Sequence, residues 1–340
     1  MAQREKKTLI HKVWNTIKKY HLIETGDILV LGVSGGPDSM TMLDILLKVK
    51  QANQISFDFV VAHVNHMIRE EAKEDEAYVK NYCMKNNIQF YGKSIDVQKI
   101  ANTNKISTEE AGRNARYDFF DEVLQNISGN KIAIAHNKND KVETMMMNEL
   151  RGCGIQGLKG IEPIRGKYIR PLIECERKEI EDYCKENNME PRIDKTNFEN
   201  VYTRNKIRNI VIPYIQQEFN PNIIETMDRL SHLVTEQETY IQKQVADAYK
   251  EIVLEEEIDS DNPYIVLDLK KFNVQEKVIK SNIILYTITR LFHTTKGIEK
   301  IHIEDIIKLC ANNIGNKFLM PNKNLKIFIK NGKIKISKEV

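Results

Sequence analysis

The chain has 340 residues, of which 41% are hydrophobic, and a formal net charge of +3, so we expect two folded domains with real cores. No apolar run reaches the roughly 20 residues that a membrane span needs, and no apolar signal segment follows the first residues. The five cysteines are widely spaced without a C-x-x-C pair, which argues against a disulfide framework, a structural zinc and a cysteine-ligated iron–sulfur cluster. A reducing cytoplasm with no membrane partner is therefore the expected location.

The most informative segment joins a predicted strand, 28–33, to a predicted helix that runs from about 37 to 50. The connecting turn is Ser34-Gly35-Gly36-Pro37-Asp38-Ser39. Backbone N–H groups in such a turn, together with the N-terminus of the helix, attract phosphates. Asp38 would repel phosphates unless a cation lay between them, so the pattern predicts ATP bound with Mg²⁺. The segment contains neither a Walker lysine nor a G-x-G-x-x-G fingerprint.

Strands and helices then alternate along the chain. Further strands are predicted at 57–64, 88–92 and 131–135, and helices at about 70–86, 108–126 and 138–150. This alternation predicts an α/β fold with a doubly wound parallel sheet. Ligands of such sheets bind at the carboxyl ends of the strands, which is where Ser34, His63 and His136 fall. A histidine at the end of a strand, taken alone, is more often a hydrogen-bonded structural residue.

Two pairs of charged residues have helical spacing. Arg113 and Arg116 share one face of the 108–126 helix, where they could stabilise negative charge or simply pair with Glu109 or Glu110. Asp140 and Glu143 share one face of the 138–150 helix. They could hold a metal or an ammonium group, or they could be ordinary acidic residues of a first helical turn.

Further helices are predicted at 176–187, 201–217 and about 222–253, and Phe219-Asn220-Pro221 suggests a domain boundary between 1–218 and 219–340. The remainder predicts a smaller C-terminal α+β domain. Arg204, Lys206 and Arg208 make the 201–217 helix basic, which suits a phosphate contact or a solvated face.

The C-terminal end of the chain predicts a basic hairpin. Aliphatic and basic residues alternate on either side of Asn331-Gly332, the strongest hairpin turn signal. Opposed pairing places Phe328 on one face with four lysines: Lys326, Lys330, Lys333 and Lys335. A basic face with one aromatic ring suits a nucleic-acid backbone, and it equally suits plain exposure to solvent.

Taken together, the motifs resemble those of the tRNA(Ile)-lysidine synthase family within the PP-loop ATP pyrophosphatase superfamily. The matching segments are the Ser34–Ser39 turn, Val64–Arg69, Arg113-x-x-Arg116-Tyr117, Ala135–Thr144, Arg151–Leu158 and Asp194–Arg208. The chain departs from the family pattern at Asn137 and Asn139, where many members carry a histidine and an aspartate. The C-terminal part also looks shorter than in many members.

The resemblance implies an ATP-dependent ligase. ATP would adenylate the C2 carbonyl oxygen of the wobble cytidine in a CAU-anticodon isoleucine tRNA, and free L-lysine would then displace AMP to form lysidine. The Ser34–Ser39 loop, His63 and His136 would bind ATP, with Asp38 near Mg²⁺.

The resemblance also implies roles for the charged residues. Arg113, Arg116, His136 and Asp140 would act at the reacting centre, and Asp140 with Glu143 would hold lysine. The 201–208 cations and the hairpin lysines would hold tRNA, and a homodimer is one option for the assembly. Two alternatives stay open: another PP-loop tRNA-modifying enzyme, such as a 2-thiocytidine enzyme, and a nucleotide-binding sensor without chemistry. The absence of a C-x-x-C pair counts against the former.

Overall fold

A computed structural model of the chain describes residues 8–67, 72–192, 202–312 and 317–339. Parts of two motifs, Ile68–Arg69 and Asp194–Val201, lie outside the described residues. The chain divides into two compact units, Met1–Val234 and Thr235–Val340. This division falls inside a long helix, Ile223–Ile252, and not at the expected position between 218 and 219. The reason is that Ile224 packs into the core of the first unit.

The first unit contains a six-stranded sheet with helices between its strands. Its strands are β1 (Ile28–Gly32), β2 (Asp58–Asn65), β3 (Phe90–Ser94), β4 (Lys131–Ile134), β5 (Ile164–Arg165) and β6 (Tyr168–Ile169). The helices that accompany them are α1 (Leu9–Lys19), α2 (Pro37–Gln51), α3 (Ala72–Lys85), α4 (Val97–Asn104), α5 (Thr108–Asn126), α6 (Lys138–Leu150) and α7 (Arg177–Glu186). The predicted strands and helices of this region are therefore confirmed, and α1 lies within residues 4–22, whose amphipathic pattern predicts a helix. The helix α4 and the short β5–β6 hairpin were not predicted.

The strand order, β3-β2-β1-β4-β6-β5, places the candidate site. All pairings are parallel except that of β5 with β6, which confirms the doubly wound sheet. Between β1 and β4 the order of the strands reverses, and doubly wound sheets bind ligands outside the carboxyl ends of the strands at such a point. The Ser34–Ser39 loop follows β1 and His136 follows β4. The fold therefore brings these two segments to the same crevice.

Three short helical pieces and one long helix complete the N-terminal region. They are α8 (Thr203–Lys206), a π-helical turn at Ile207–Val211, α9 (Ile212–Glu218) and α10 (Ile223–Ile252). The predicted continuous helix over 201–217 is thus interrupted by a wider turn. Buried Ile207 and Ile212 pack with Val142 of α6 and Ile224 of α10.

The second unit has an antiparallel sheet in the order β7-β8-β11-β10-β9. The strands are β7 (Val253–Glu257), β8 (Tyr264–Asp268), β9 (Lys317–Asn322), β10 (Leu325–Lys330) and β11 (Lys333–Lys338), and the helices are α11 (Leu269–Asn273), α12 (Lys277–Phe292) and α13 (Lys300–Ala311). Pairing of Phe328 with Lys335 and of Lys330 with Lys333 confirms the predicted hairpin and its register. Its aliphatic side chains are buried in a core of their own with residues of the three helices. No helix among the described residues is long and apolar enough to cross a membrane.

Candidate active site

The loop after β1 is held by its own hydrogen bonds. The backbone N–H of Ser34 donates to Ser39 Oγ at 3.1 Å, and Ser39 Oγ donates to the carbonyl of Gly36 at 3.1 Å. Gly35 has a φ of +92°, a conformation that favours glycine. The N-terminus of α2 at Pro37 receives no hydrogen bond from a capping side chain, so its first N–H groups can face an anion. The glycine turn and the uncapped start of α2 are compatible with the predicted phosphate loop.

Asn137 links this loop to α6. Its side-chain amide donates to Asp38 Oδ1 at 2.9 Å, while its Oδ1 accepts a hydrogen bond from the backbone N–H of Asp140 at 3.0 Å. Asp140 Oδ2 in turn accepts from the backbone N–H of Asn137, which completes a capping box. Asn137 is fully buried. One of the two departures from the family pattern is thus a fixed connection between Asp38 and Asp140.

The carboxyl group of Asp38 lies in an environment that disfavours its charge. Burial, with the negative charge of Asp140 as a second cause, raises the pKa of Asp38 to about 6. The amide of Asn137 and the guanidinium groups of Arg177 and Arg208 act in the opposite direction. A cation between Asp38 and a phosphate would favour the ionised carboxylate.

The described residues contain no cluster of three or more histidine, cysteine or acidic side chains that could hold a metal ion. Mg²⁺ commonly takes only one or two carboxylates, with water and substrate phosphates as its other ligands. Among the hydrogen bonds of the described residues, the one to Asp38 is made through Oδ1. A single carboxylate beside a phosphate loop therefore fits Mg²⁺ bound together with a nucleotide.

The acidic pair of α6 binds three guanidinium groups. Glu143 has no exposed surface, and its carboxylate lies 2.9 Å from Arg204 Nε and 2.7 Å from Arg208 Nε. Asp140 Oδ1 lies 3.1 Å from Arg204 Nη2 and 2.9 Å from Arg208 Nη2. Arg177 of α7 approaches the same carboxylates at 3.4 and 3.5 Å. We call these five residues the arginine–carboxylate cluster.

This cluster changes how Arg204 and Arg208 are understood. They were predicted as tRNA contacts, but both bind the carboxylates that were predicted to hold lysine. Burial alone would raise the pKa of Asp140, but Arg204, then His136 and the other arginines of the cluster hold it below its usual range. Lys206, between the two arginines, is exposed.

The two strand-end histidines both lie near the carboxyl edge of the sheet. His63 is 3% exposed, and its Nδ1 lies 2.8 Å from the carbonyl oxygen of Val33. His136 Nδ1 lies 3.3 Å from Nε of Arg170, a residue that sequence reasoning missed. Burial lowers the pKa of His136 to about 4; Asp140 opposes this shift, and Arg170, Arg204 and Arg116 add to it.

Arg113 and Arg116 are exposed on α5. The guanidinium carbon of Arg113 lies 5.4 Å from the centre of the Tyr117 ring. The charge of Arg116 is close enough to His136 to lower the pKa of that histidine. The charge of Arg116 therefore acts on His136, whereas the helical spacing predicted only that Arg113 and Arg116 share one face.

A second buried ionic group was not predicted. Lys138 and Lys141 are about 6% and 5% exposed, and they turn away from the acidic pair toward α10. Lys138 Nζ lies 2.7 Å from Glu225, and Lys141 Nζ lies 2.8 Å from buried Asp228. These ion pairs fix α6 to α10. The sequence signal was weak, because two lysines in a helix are usually solvated.

The second unit presents the hairpin lysines very differently. We call Lys326, Lys330, Lys333 and Lys335 the lysine face. Lys326 pairs with Glu339 at 2.7 Å and Lys333 with Glu255 at 3.2 Å, while Lys335 Nζ lies 3.9 Å from the centre of the Tyr264 ring. Phe318, which pairs with Phe328 across the sheet, is 60% exposed. Cations and rings therefore share an open surface, as the hairpin pattern predicted.

Comparison with known proteins agrees with this architecture. The PP-loop domain family matches residues 5–215. A tRNA(Ile)-lysidine synthase of Clostridium acetobutylicum is 45% identical over 92% of the chain and 67% of the relative. The synthase of Clostridium tetani is 42% identical over 93% of the chain and 66% of the relative. The synthase of Clostridioides difficile is 40% identical over 97% of the chain and 71% of the relative. The chain thus spans about two thirds of the length of these relatives.

A solved structure shows the same fold. The U34-tRNA thiolase NcsA from Methanococcus maripaludis, determined with its [4Fe-4S] cluster, superposes with a TM-score of 0.54. It is 16% identical, and the match covers 66% of this chain and 78% of the thiolase, so it bears on the fold alone. The family match and the identity to curated relatives decide the assignment: the chain belongs to the tRNA(Ile)-lysidine synthase family of PP-loop proteins.

Proposed function

We propose that the chain ligates L-lysine to C2 of the wobble cytidine in tRNA(Ile) with a CAU anticodon, using ATP. The C2 carbonyl oxygen attacks the α-phosphorus and pyrophosphate leaves. The ε-amine of lysine then forms a bond to C2, and AMP leaves with the former carbonyl oxygen. The observation that carries this proposal is the Asn137 link, which holds Asp38 of the phosphate loop and Asp140 of the acidic pair side by side.

The phosphate loop supplies the ATP end of this site. Backbone N–H groups of the Ser34–Ser39 turn and the free first turn of α2 would bind the phosphates. Asp38 would hold Mg²⁺, which neutralises phosphate charge when bound. Exposed Arg113 and Arg116 extend from α5 and would stabilise the charge that develops on the leaving group.

The acidic pair supplies the lysine end, but its present partners must change. Two carboxylates face three guanidinium groups, so an arriving ammonium group meets a site that already has an excess of positive charge, and it would bind more readily once one guanidinium leaves. Arg177 makes the longest contacts in the arginine–carboxylate cluster, and its charge reaches Asp38. We therefore assign to Arg177 a move toward the phosphates of bound ATP, so that ATP binds before lysine.

The arginine–carboxylate cluster changes which residues we propose as tRNA contacts. The lysine face and Lys206 stay proposed tRNA contacts, because their side chains are exposed or half-buried at a surface. Arg204 and Arg208 could reach tRNA only by leaving Asp140 and Glu143. A cytoplasmic location and a homodimer remain predictions.

One assay tests the reaction. The purified chain is incubated with ATP, L-lysine and a CAU-anticodon tRNA(Ile) transcript, and the wobble nucleoside is identified by mass spectrometry. We expect lysidine, with AMP formed in step. No turnover would favour the nucleotide sensor, and a wobble base modified with sulfur would favour the thiolation enzyme.

The matched variants are Asp38→Ala and Asp58→Ala. Asp38→Ala should abolish AMP formation, whereas Asp58 is an exposed carboxylate that pairs with Lys50 at the surface and should be replaceable. Near-normal AMP formation by Asp38→Ala would remove the phosphate-loop assignment.

A further inference from the structure

The hydrogen bond between Arg170 and His136 fixes where the imidazole carries its proton. A guanidinium group has only donors and stays charged in proteins. Because Nε of Arg170 lies 3.3 Å from Nδ1 of His136, Nδ1 must accept, and the proton of the neutral ring is on Nε2. None of the described residues takes a hydrogen bond from this Nε2, so its N–H is available to a ligand.

Arg170 is itself rigidly held. It is 6% exposed, its Nη1 donates to the carbonyl of Glu162 at 2.6 Å, and its backbone N–H donates to the carbonyl of Pro163 at 3.0 Å. It directly follows β6, which pairs with β4, the strand that precedes His136. The direction of its side chain is therefore set by the sheet.

His63 provides an internal contrast. The carbonyl oxygen of Val33 can only accept a hydrogen bond, so Nδ1 of His63 must donate and its Nε2 carries the lone pair. Two imidazoles at the carboxyl edge of one sheet thus have opposite tautomers. His63 can accept a hydrogen bond from an amino group, whereas His136 can donate one to an oxygen atom.

We propose that Arg170 is a positioning residue that keeps His136 as the Nε2–H tautomer, so that His136 donates a hydrogen bond to a substrate oxygen and does not act as the base that deprotonates lysine. This inference rests on the proposed function for the identity of the substrate. The charged groups around His136 are Asp140 on α6, Arg116 on α5, Arg204 on α8 and Arg170 itself. Three of these four are cations, which agrees with a ring that stays neutral.

The tautomer can be measured without any assay of activity. Long-range ¹H–¹⁵N spectra of the ¹⁵N-histidine-labelled chain distinguish the two neutral tautomers, and His136→Gln assigns the signals. We expect Nε2–H for His136 and Nδ1–H for His63 at pH 7. A His136 ring protonated on Nδ1, or an even mixture, would overturn the proposal whether or not any variant folds.

Variants then test the role of Arg170. Arg170→Met should release His136 into a mixture of tautomers and lower kcat about tenfold, the value of roughly one hydrogen bond. The KM for ATP should change less than kcat, and the acid limb of the pH profile should move toward the ordinary range of histidine. Arg170→Lys still offers a charged donor, so this variant should keep most of the Nε2–H tautomer of His136 and most of the wild-type kcat.

Arg165→Met is the matched control. Arg165 is an exposed guanidinium close enough to affect the pKa of Arg170, so its removal changes the local charge without touching His136. If Arg170→Met leaves the tautomer and the pH profile of the wild type, Arg170 is only a structural residue. If the tautomers are as expected but no variant or wild-type chain forms lysidine, the proposed function fails and the positioning contact stands.

Discussion

Charged residues of the arginine–carboxylate cluster in the first unit and charged residues on the sheet of the second unit differ in burial and in their partners. Glu143 has no exposed surface and binds three arginines, whereas Glu339 and Lys326, which pair across the lysine face, have side chains 37% and 36% exposed. Buried charges cannot exchange partners without leaving another charge unpaired. Exposed pairs exchange with salt and solvent at little cost. The arginines of the arginine–carboxylate cluster are therefore committed to the protein, whereas the lysine face is available to a ligand.

The largest difference should appear when one acidic partner is removed from each region. Glu143→Gln leaves Arg177, Arg204 and Arg208 partly unpaired in a buried site, and we expect a loss of about 3 kcal/mol of folding free energy. Glu339→Gln should change it by less than about 1 kcal/mol. Urea denaturation of both variants measures the contrast.

The same Glu143→Gln variant, assayed where it is folded, should raise the KM for lysine about tenfold or more, with a smaller effect on that for ATP. A similar stability loss in both variants would mean that the buried cluster is no more committed than the surface pair. An unchanged KM for lysine would place the lysine site elsewhere.

A smaller effect should come from His136 and depend on pH. Burial lowers its pKa to about 4, against about 6.5 in an unfolded chain, so only the unfolded chain binds a proton as the pH falls from about 6.5 to about 4. Wild-type stability should therefore decline in that range, and His136→Gln should remove about 1–3 kcal/mol of the decline.

The measurement is the free energy of unfolding at pH 7.5 and pH 4.5. His11→Gln, at an exposed imidazole in the same unit, is the control and should leave the decline unchanged. A decline that is equal in His136→Gln and wild type would show that the ring is not sheltered from protons in the folded state.

The smallest effect on stability should follow from changing all four residues of the lysine face to glutamine. Folding free energy should change by about 1 kcal/mol or less, because these charges are at the surface. Binding of tRNA should nevertheless weaken, and the slope of log affinity against log salt should fall, since each phosphate contact contributes about 0.7–0.9.

A matched set of four exposed lysines on the helices and loops of the same unit controls for net charge: Lys270, Lys277, Lys296 and Lys300. Only substitution of the lysine face should lower the slope of log tRNA affinity against log salt concentration. Equal slopes for the two sets would make the lysine face an ordinary solvated surface, and tRNA would then have to be held by other residues.

Much of the fold could be predicted because its signals are local. Strand and helix periods, the Ser34–Ser39 turn and Asn331-Gly332 each depend on a few adjacent residues, and the structure has these elements where they were predicted. The partners of Glu143 could not be predicted, because Arg177, Arg204 and Arg208 are brought to it only by tertiary packing. Helical spacing correctly placed Asp140 and Glu143 on one face but could not say which cations occupy that face.

The link made by Asn137 was missed for a related reason. The sequence shows Asn137 only as a departure from the family pattern, whereas in the structure its side-chain amide donates to Asp38 and accepts from the backbone N–H of Asp140. Arg170 gave no sequence signal, since its importance lies in one contact across neighbouring strands.

The π-helical turn at Ile207–Val211 has a consequence for tolerated chain length. An α-helix turns 100° per residue, so one extra residue shifts the phase of everything that follows. The wide turn lets Arg204 and Arg208 face the carboxylates while Ile212 faces the apolar core. Because a π-helical turn accommodates one residue more than an α-helical turn, deletion of exposed Ile210 would restore a regular helix and leave Ile212 close to its present face, whereas an added residue would turn Ile212 away from that core. Deletion at this position should therefore be tolerated far better than the insertion of a further residue.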